Sequence, residues 1–327
     1  MLTTNELQVF IAAAETENFS EAGRRLGVSQ PAISMQIKAL EERLGLLLFE
    51  RAGRHISLSE AGRALVPMAR ETIDRVIGIE ETMVSLQGEV IGLLKLACST
   101  TAGKYVLPSL LSGLMARHPQ VEIVCQVTQR EAALDALRRG DAHVALTSLR
   151  IPFKDVEYRP FLTDSIVLVV PPQHRWANLT EPIHPEDLIK EQFIVREPTS
   201  GTLDAMRQGL EWHDLSLDHL HKVMTLGNAE AIRMAVQEGI GVAFVSAMVA
   251  IEGVESGKLA VVEVDGLELE KTLYMARDID RPATGAQAAF WDWAFDPTNE
   301  HIRQRPSLRQ GKPGKSAASS RQPVAGS

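Results

Sequence analysis

Gln30, Ser34, Met35 and Lys38 share one side of a segment whose other side carries Ile33, Ile37, Leu40 and Leu44 at helical spacing. An amide, a hydroxyl and an ammonium arranged this way can hydrogen-bond base edges and phosphates. The elements that must hold them lie in FSEAGRRLGVSQPAISMQIKALEERL, Phe19 to Leu44, which reads as two short helices joined by a tight turn. Ser20 is the expected N-cap of the first helix, and Ala22 and Leu26 its inner face. Gly27 permits the reversal. Ser29 and Pro31 start the second helix, because proline is tolerated in a first turn. A helix braced in this way fits the DNA major groove. On this stretch alone, a helical hairpin with a solvated face remains open, because such patterns are short.

The flanks add to the pattern. Leu7, Phe10, Ile11 and Ala14 form an apolar stripe on a preceding helix, the third member that such a domain needs. After Leu44, GLLLFERAGRHISLSEAG reads as a strand, a basic turn and a second strand. That is a wing with Arg51, Arg54 and His55 at its tip, suited to phosphates or the minor groove. An ordinary hairpin with solvated cations is the alternative.

The run AxxLxVSQPAISxQIKxLExxLGxxLFER, followed by LSEAG, resembles the N-terminal winged helix-turn-helix of the LysR-type transcriptional regulators. It is carried here by Ala22, Leu26, Val28, Ser29, Gln30, Pro31, Ala32, Ile33, Ser34, Gln36 to Lys38, Leu40, Glu41, Leu44, Gly45 and Leu48 to Arg51. The resemblance extends at lower density to about residue 296. It implies that Gln30, Pro31, Ser34 and Lys38 face double-stranded promoter DNA, and we place Arg24, Ser29, Met35, Arg51 and Arg54 in the same interface. Met35 stands where the family varies, and either meets a thymine methyl or leaves a base unread.

Formal net charge is -8, and residues 1–300 hold 28 cations against 42 anions. DNA affinity must therefore come from local placement of Arg24, Arg25, Lys38, Arg51 and Arg54 rather than from global attraction. No apolar run approaches the roughly 18 residues of a membrane span, and the N-terminus lacks a basic-then-apolar signal. A cytoplasmic protein with no membrane partner is the expectation. Cys98 and Cys125 end two apolar runs, LLKLACS and VEIVCQV, expected to be neighbouring strands of a parallel sheet. Buried, reduced thiols are favoured over a redox pair, and the spacing gives no metal signature.

From Ser59 to Gln87 the pattern becomes one helix with two apolar stripes, Leu65–Met68–Thr72–Val76–Ile79–Met83–Leu86 and Val66–Ile73–Ile77–Val84. About 29 residues span roughly 43 Å, too long for one small core to cover. Two stripes suggest packing on a partner helix as well. The resemblance implies dimerisation here, as a homodimer or homotetramer, with RNA polymerase as a possible further partner. From Leu93, short apolar runs alternate with amphipathic helices, the mark of an α/β domain. The expected fold class is α+β and multi-domain. A winged helix-turn-helix over 1–58 precedes a linker/dimerisation helix over 59–88. A two-lobed, periplasmic-binding-protein-like α/β domain follows over 92–300, with lobe I at 92–163 and 267–300 and lobe II at 164–266. A disordered basic tail occupies 301–327.

Ser99, Thr100 and Thr101 follow one strand and precede a helix, and Thr147 and Ser148 follow another. Ser200 and Thr202 lie in a second hydroxyl-rich turn behind Arg196. Simple helix capping accounts for each turn alone. Three of them, with Arg196, suit a polar or anionic small-molecule effector, and the resemblance places the effector there, between the lobes. REPTSGT also resembles the branch controlling carbon-dioxide-fixation operons. Gly239 and Gly241 lack a third glycine for a dinucleotide loop, and His219 and His221 lack ligand spacing. There is no P-loop, nucleophile elbow or catalytic constellation, so neither an enzyme nor a cofactor is expected. The expected function is a sequence-specific transcriptional regulator, activator or repressor, controlled by the effector. An effector-independent repressor and a metabolite-binding or catalytic α/β protein are the rivals.

Overall fold

A computed structural model describes residues 1–52, 55–85 and 89–304. They form two compact units, Met1–Leu162 with Thr272–Gln304, and Thr163–Lys271. Arg54, the expected wing-tip cation, lies outside the described residues, as do Leu86–Gly88 of the linker and the tail beyond residue 304.

Unit 1 begins with α1 (Thr4–Thr16), started by a capping box in which Glu6 accepts from the Thr3 amide and Thr3 Oγ1 from the Glu6 amide. Asn18, not Ser20, caps α2 (Phe19–Leu26). Its Oδ1 accepts from the Ser20 and Glu21 amides at 2.9 and 3.1 Å, which leaves Ser20 inside the first turn. Gly27 follows at φ 68°, a left-handed conformation that suits glycine. Gly23 serves a different need, since a Cβ there would stand 2.6 Å from the Val28 carbonyl oxygen. The missing side chain lets α2 approach the turn that leads into α3 (Gln30–Leu44), which Ser29 caps and Pro31 helps to open.

Leu7, Phe10, Ala22, Ile33, Ile37 and Leu40 fill the three-helix core, closed by Phe49, whose ring lies 5.9 Å from Phe10 and 5.3 Å from Phe19. Leu26, expected inside, is 40% exposed because α2 ends on it, at the rim of that core. The wing strands β1 (Phe49–Ala52) and β2 (His55–Leu58) pair antiparallel, Phe49 opposite Leu58.

Ser59 starts the long helix α4 (Glu60–Ser85), its hydroxyl donating to the Leu47 carbonyl at 2.6 Å and accepting from the Gly62 amide. Leu65, Val66, Ala69 and Ile73 pack on the helix-turn-helix core. Met68, Ile79 and Met83, all on the first predicted stripe, are exposed.

Strands and helices then alternate as β3 (Gly92–Ser99), α5 (Thr100–Tyr105), α6 (Leu107–Arg117), β4 (Val121–Thr128), α7 (Arg130–Arg139) and β5 (Val144–Thr147). The sequence suggests one helix from the STTAG turn to Arg117. It is split at Val106, because Pro108 has no N–H to bond the preceding turn and instead sits in the first turn of α6. Strand β6 (Val156–Val170) has residues in both units. Unit 2 continues with β7 (Gln192–Arg196), α8 (Gly201–Glu211), β8 (His221–Leu226), α9 (Ala229–Gln237), β9 (Ala243–Ser246), α10 (Ala247–Glu255) and β10 (Ala260–Val262). Strand β11 (Leu269–Asp278) starts in unit 2 and ends in unit 1, where α11 (Gly285–Phe295) follows.

In unit 1, β3 runs parallel to β4 on one side and β5 on the other, and β5 pairs antiparallel with β11. Cys98 and Cys125 are therefore on adjoining parallel strands, as expected. Cys125 is exposed rather than buried, because β4 ends the strand order and most of its residues face solvent. In unit 2, β6 pairs antiparallel with β9 and β10, and β7 with β8 in parallel. Phe193 and Phe244 stack at 6.1 Å within its core.

Helix α4 also docks on the α/β part of unit 1. Glu81 is buried and its Oε2 accepts from the Gly285 amide at 2.7 Å, so a carboxylate of α4 meets the positive end of α11. Burial pushes the Glu81 carboxyl above the usual range even so, and does the same to Asp74 about two turns earlier on α4. His143 is held as a neutral imidazole, its Nδ1 accepting from the Lys95 amide at 3.3 Å and burial lowering its pKa from 6.5 to about 4. The unfolded chain thus takes up this proton first. The stability involved is fully present above pH 6.5 and is lost as pH falls towards about 4. The loss should be on the order of 3 kcal/mol. Urea unfolding at stepped pH should show it, and His143→Gln should flatten that slope; an unchanged slope would refute the assignment to His143.

Candidate nucleic-acid interface and effector site

With Ile33, Ile37 and Leu40 turned into the core, helical geometry puts Gln30, Ser34, Met35 and Lys38 on the outer face of α3. Gln30 and Pro31 are exposed in its first turn, Ser34 is half-exposed, and Met35 is 69% exposed. Lys38 is exposed and paired with Glu42 on the same helix, 3.6 Å from its ammonium. Ser29 is exposed, but its hydroxyl accepts from the Ala32 amide, so it starts the helix as well as bordering the face. Arg24 is exposed on α2 and paired with Glu21. Arg51 belongs to β1, and its side chain, like all of Arg54, lies outside what is described.

This face is tied to the rest of unit 1 by a chain of charges. Arg25 Nη1 of α2 lies 2.6 Å from Glu15 of α1, and the other Glu15 oxygen is 2.9 Å from Arg70 Nη2 of α4. Arg70 Nη1 then reaches Asp141, just after α7, at 2.6 Å and the Arg139 carbonyl at 3.1 Å. Arg70 is the half-buried centre that joins the helix-turn-helix to the α/β part.

Among the expected effector residues of unit 1, Ser99 makes no capping bond at α5, and Thr101 is buried. Thr100 and Ser148 are half-exposed. Thr147 is fully buried and accepts from the Leu149 amide at 3.2 Å, which makes it part of the local turn. In unit 2, Ser200 caps α8 by accepting from the Thr202 amide. Arg196 is already held by Glu197, Nε and Nη2 reaching its two oxygens at 2.7 and 2.8 Å.

Another cation in unit 2 touches this turn. Lys271 Nζ donates to Thr202 Oγ1 at 3.0 Å and lies 3.2 Å from Asp164 Oδ2. Asp164 is buried and accepts from the Ser246 hydroxyl at 2.7 Å. A hydroxyl that accepts from an ammonium keeps its own proton to donate, so Thr202 is set as a donor. Thr199 Oγ1 beside it is buried and has no hydrogen-bond partner among the described residues. Sequence reasoning missed Lys271, Asp164 and Ser246. The available signal was a charged residue inside otherwise apolar strand runs, FLTDSIVLVV and LEKTLYM.

An outward-facing helix-turn-helix joined by a long helix to α/β units with hydroxyl turns defines a ligand-responsive, DNA-binding regulator. Residues 4–63 match the bacterial regulatory helix-turn-helix proteins of the lysR family, and residues 87–296 match the LysR substrate binding domain. The chain belongs to the LysR family of transcriptional regulators. It is 31% identical over 293 residues to the RuBisCO operon transcriptional regulator of Acidithiobacillus ferrooxidans, covering 90% of this chain and 93% of that one. Its fold resembles that of a full-length OxyR variant from Pseudomonas aeruginosa, with a TM-score of 0.70 at 23% identity, over 95% and 99% of the two chains. It also resembles the CcmR regulatory domain of Synechocystis in complex with 2-PG, with a TM-score of 0.57 at 25% identity, over 62% of this chain and 95% of that one.

Replacing Arg70 by Ala leaves Glu15 and Asp141 half-exposed without their shared partner. Chemical denaturation should show a loss of about 1–2 kcal/mol, less than for a fully buried pair because solvent screens both carboxylates. No measurable loss would mean that the chain of charges is ornamental. On α3, Gln30→Ala and Ser34→Ala should each weaken binding to operator DNA by about 1–3 kcal/mol while sparing random DNA. Lys38→Ala should weaken both and flatten the salt dependence by about one in slope. Gel-shift titrations at several salt concentrations check this, and unchanged discrimination in the Gln30 and Ser34 variants would displace the reading face.

Proposed function

We propose that this regulator binds promoter DNA through the outer face of α3 and the wing, and that a small anionic effector sets its output. The observation that carries the effector reading is the Thr199–Thr202 turn of unit 2. Its Thr202 hydroxyl is held as a donor by Lys271, and the Thr199 hydroxyl beside it is buried and unpartnered. Two threonine hydroxyls in the turn at the N-terminal end of an eleven-residue helix favour an acceptor-rich, negatively charged ligand. Arg196 contributes less direct charge, because Glu197 already neutralises it, and acts by shaping the approach to α8. Ser99, Thr100, Thr101, Thr147 and Ser148 are further candidate contacts of unit 1.

Two relatives support the class of ligand and target. One regulates a RuBisCO operon, and another was solved as its regulatory domain with 2-PG, a small anion. A phosphorylated or carboxylated metabolite linked to carbon fixation is the effector class we infer. The chain acts as a cytoplasmic homodimer or homotetramer, with the exposed Met68, Ile79 and Met83 of α4 meeting a partner helix. Two recognition helices then address a two-fold operator, and effector binding alters how the subunits space them on bent DNA and present polymerase. An effector-independent repressor is the competing reading.

A panel of phosphate- and carboxylate-bearing metabolites, read by thermal shift and by footprint on captured operator DNA, tests both. At least one anion should raise the melting temperature and change the footprint. Thr202→Val and Lys271→Met should weaken that response about tenfold, the equivalent of about 1.4 kcal/mol. A wild-type protein that responds to no anion would favour effector independence, and an undiminished response in both variants would remove the effector from this turn.

A further inference from the structure

Cys98 and Cys125 have a geometry that the regulator's other chemistry does not use. The parallel β3–β4 register sets Leu96 opposite Cys125 and Cys98 opposite Val127, so both thiols project from the same face as diagonal neighbours. Their sulfur atoms are 3.6 Å apart. One is buried in the sheet and the other is open to solvent. We propose that Cys98 and Cys125 form a reversible intramolecular disulfide, with a hydroperoxide as the oxidant and Cys125 as the thiol that reacts first.

The electrostatics support this order. A hydrogen bond from the Cys98 thiol stabilises the Cys125 thiolate and lowers its pKa, whereas the same bond, together with burial, pushes Cys98 up. An accessible sulfur with thiolate character is the nucleophile, and a buried thiol beside it is the resolving partner. Cys125 sulfur attacks one peroxide oxygen and the O–O bond breaks. The departing hydroxide takes the proton that Cys125 released and leaves as water, with Cys125 as its sulfenic acid. Cys98 sulfur then attacks Cys125 sulfur, and the S–O bond breaks. The second hydroxide takes the Cys98 proton and leaves as water. Two thiols lose two electrons, and one peroxide becomes two waters. A disulfide is about 2.05 Å long, so the sulfurs must close by about 1.5 Å. Rotation of the solvent-exposed Cys125 side chain contributes to this travel, and a small shift of β4, the end strand, supplies the rest. The bond would fasten β3 to β4 one residue before the Ser99–Thr101 turn.

The full-length protein, reduced and desalted, should be treated with a fewfold excess of hydrogen peroxide and digested without reductant. Mass spectrometry should find the Cys98 peptide joined to the Cys125 peptide, and dithiothreitol should separate them. Cys98→Ala should instead accumulate a Cys125 sulfenic acid that dimedone traps, and Cys125→Ser should slow thiol loss at least about tenfold. The wild-type peptide map stands even if a variant folds poorly. A Cys125–Cys125 bond between copies as the main product would overturn the proposal. So would two free thiols after treatment, or oxidation of Cys98 ahead of Cys125.

Discussion

Helix α4 is built into two packing arrangements at once, and the organisation of unit 1 depends on that constraint. Its first half completes the helix-turn-helix core through Leu65, Val66, Ala69 and Ile73. Its second half buries Glu81 against the start of α11. A helix is stiff along its axis, so residues fixed near both ends leave little freedom between the DNA-reading domain and the α/β part. Arg70 reinforces the joint from the side, because its two nitrogens hold a carboxylate from each part. The outer stripe of Met68, Ile79 and Met83 remains available because the inner faces are already spent on those contacts.

The cost of this joint is carried by buried acids. Glu81 Oε1 has no hydrogen-bond partner among the described residues, and burial raises the carboxyl pKa although Oε2 meets an amide. An unmatched carboxylate oxygen in a tight interface opposes the packing around it. Gly92 shows how close that packing is, since a Cβ there would collide with the same carboxylate. The interface between α4 and the α/β part is therefore specific in shape while remaining weaker than an apolar one of the same size would be. That combination suits a joint that must hold a register yet respond to changes elsewhere in the molecule.

Periodicity made the outer face of α3 legible, because Ile33, Ile37 and Leu40 can enter a core only if Gln30, Ser34, Met35 and Lys38 leave it. The α/β alternation was legible for the same reason. Competition between neighbouring residues was harder to read. Asn18 and Ser20 are both good caps, and the winner depends on which oxygen reaches two free amides. The split at Val106 was written in Pro108, but the apolar run continued across it. Exposure of Cys125 depends on strand order, since β5 takes one side of β3 and leaves β4 at the end. Lys271 was the least legible, because its partners Thr202, Asp164 and Ser246 are scattered along the chain and only folding gathers them.

That gathering matters because an acidic chain that responds to an anion meets a physical constraint. The chain repels negative ligands at long range, and solvent screens this within about one Debye length. Recognition must then be local, from donors fixed in advance rather than from surplus charge. Lys271 illustrates the device. Asp164 offsets its charge, yet its remaining hydrogen-bonding capacity reaches Thr202 and leaves the threonine proton to be donated elsewhere. The helix-turn-helix follows the same logic, with Arg24 partnered by Glu21 on α2 and Lys38 by Glu42 on α3. On each surface the donors are partnered within the chain, so any contact with a phosphate-like group requires a partnered donor to turn outward. Discrimination then follows from shape and hydrogen bonding, and the overall negative charge suppresses the indiscriminate binding that a basic surface would invite.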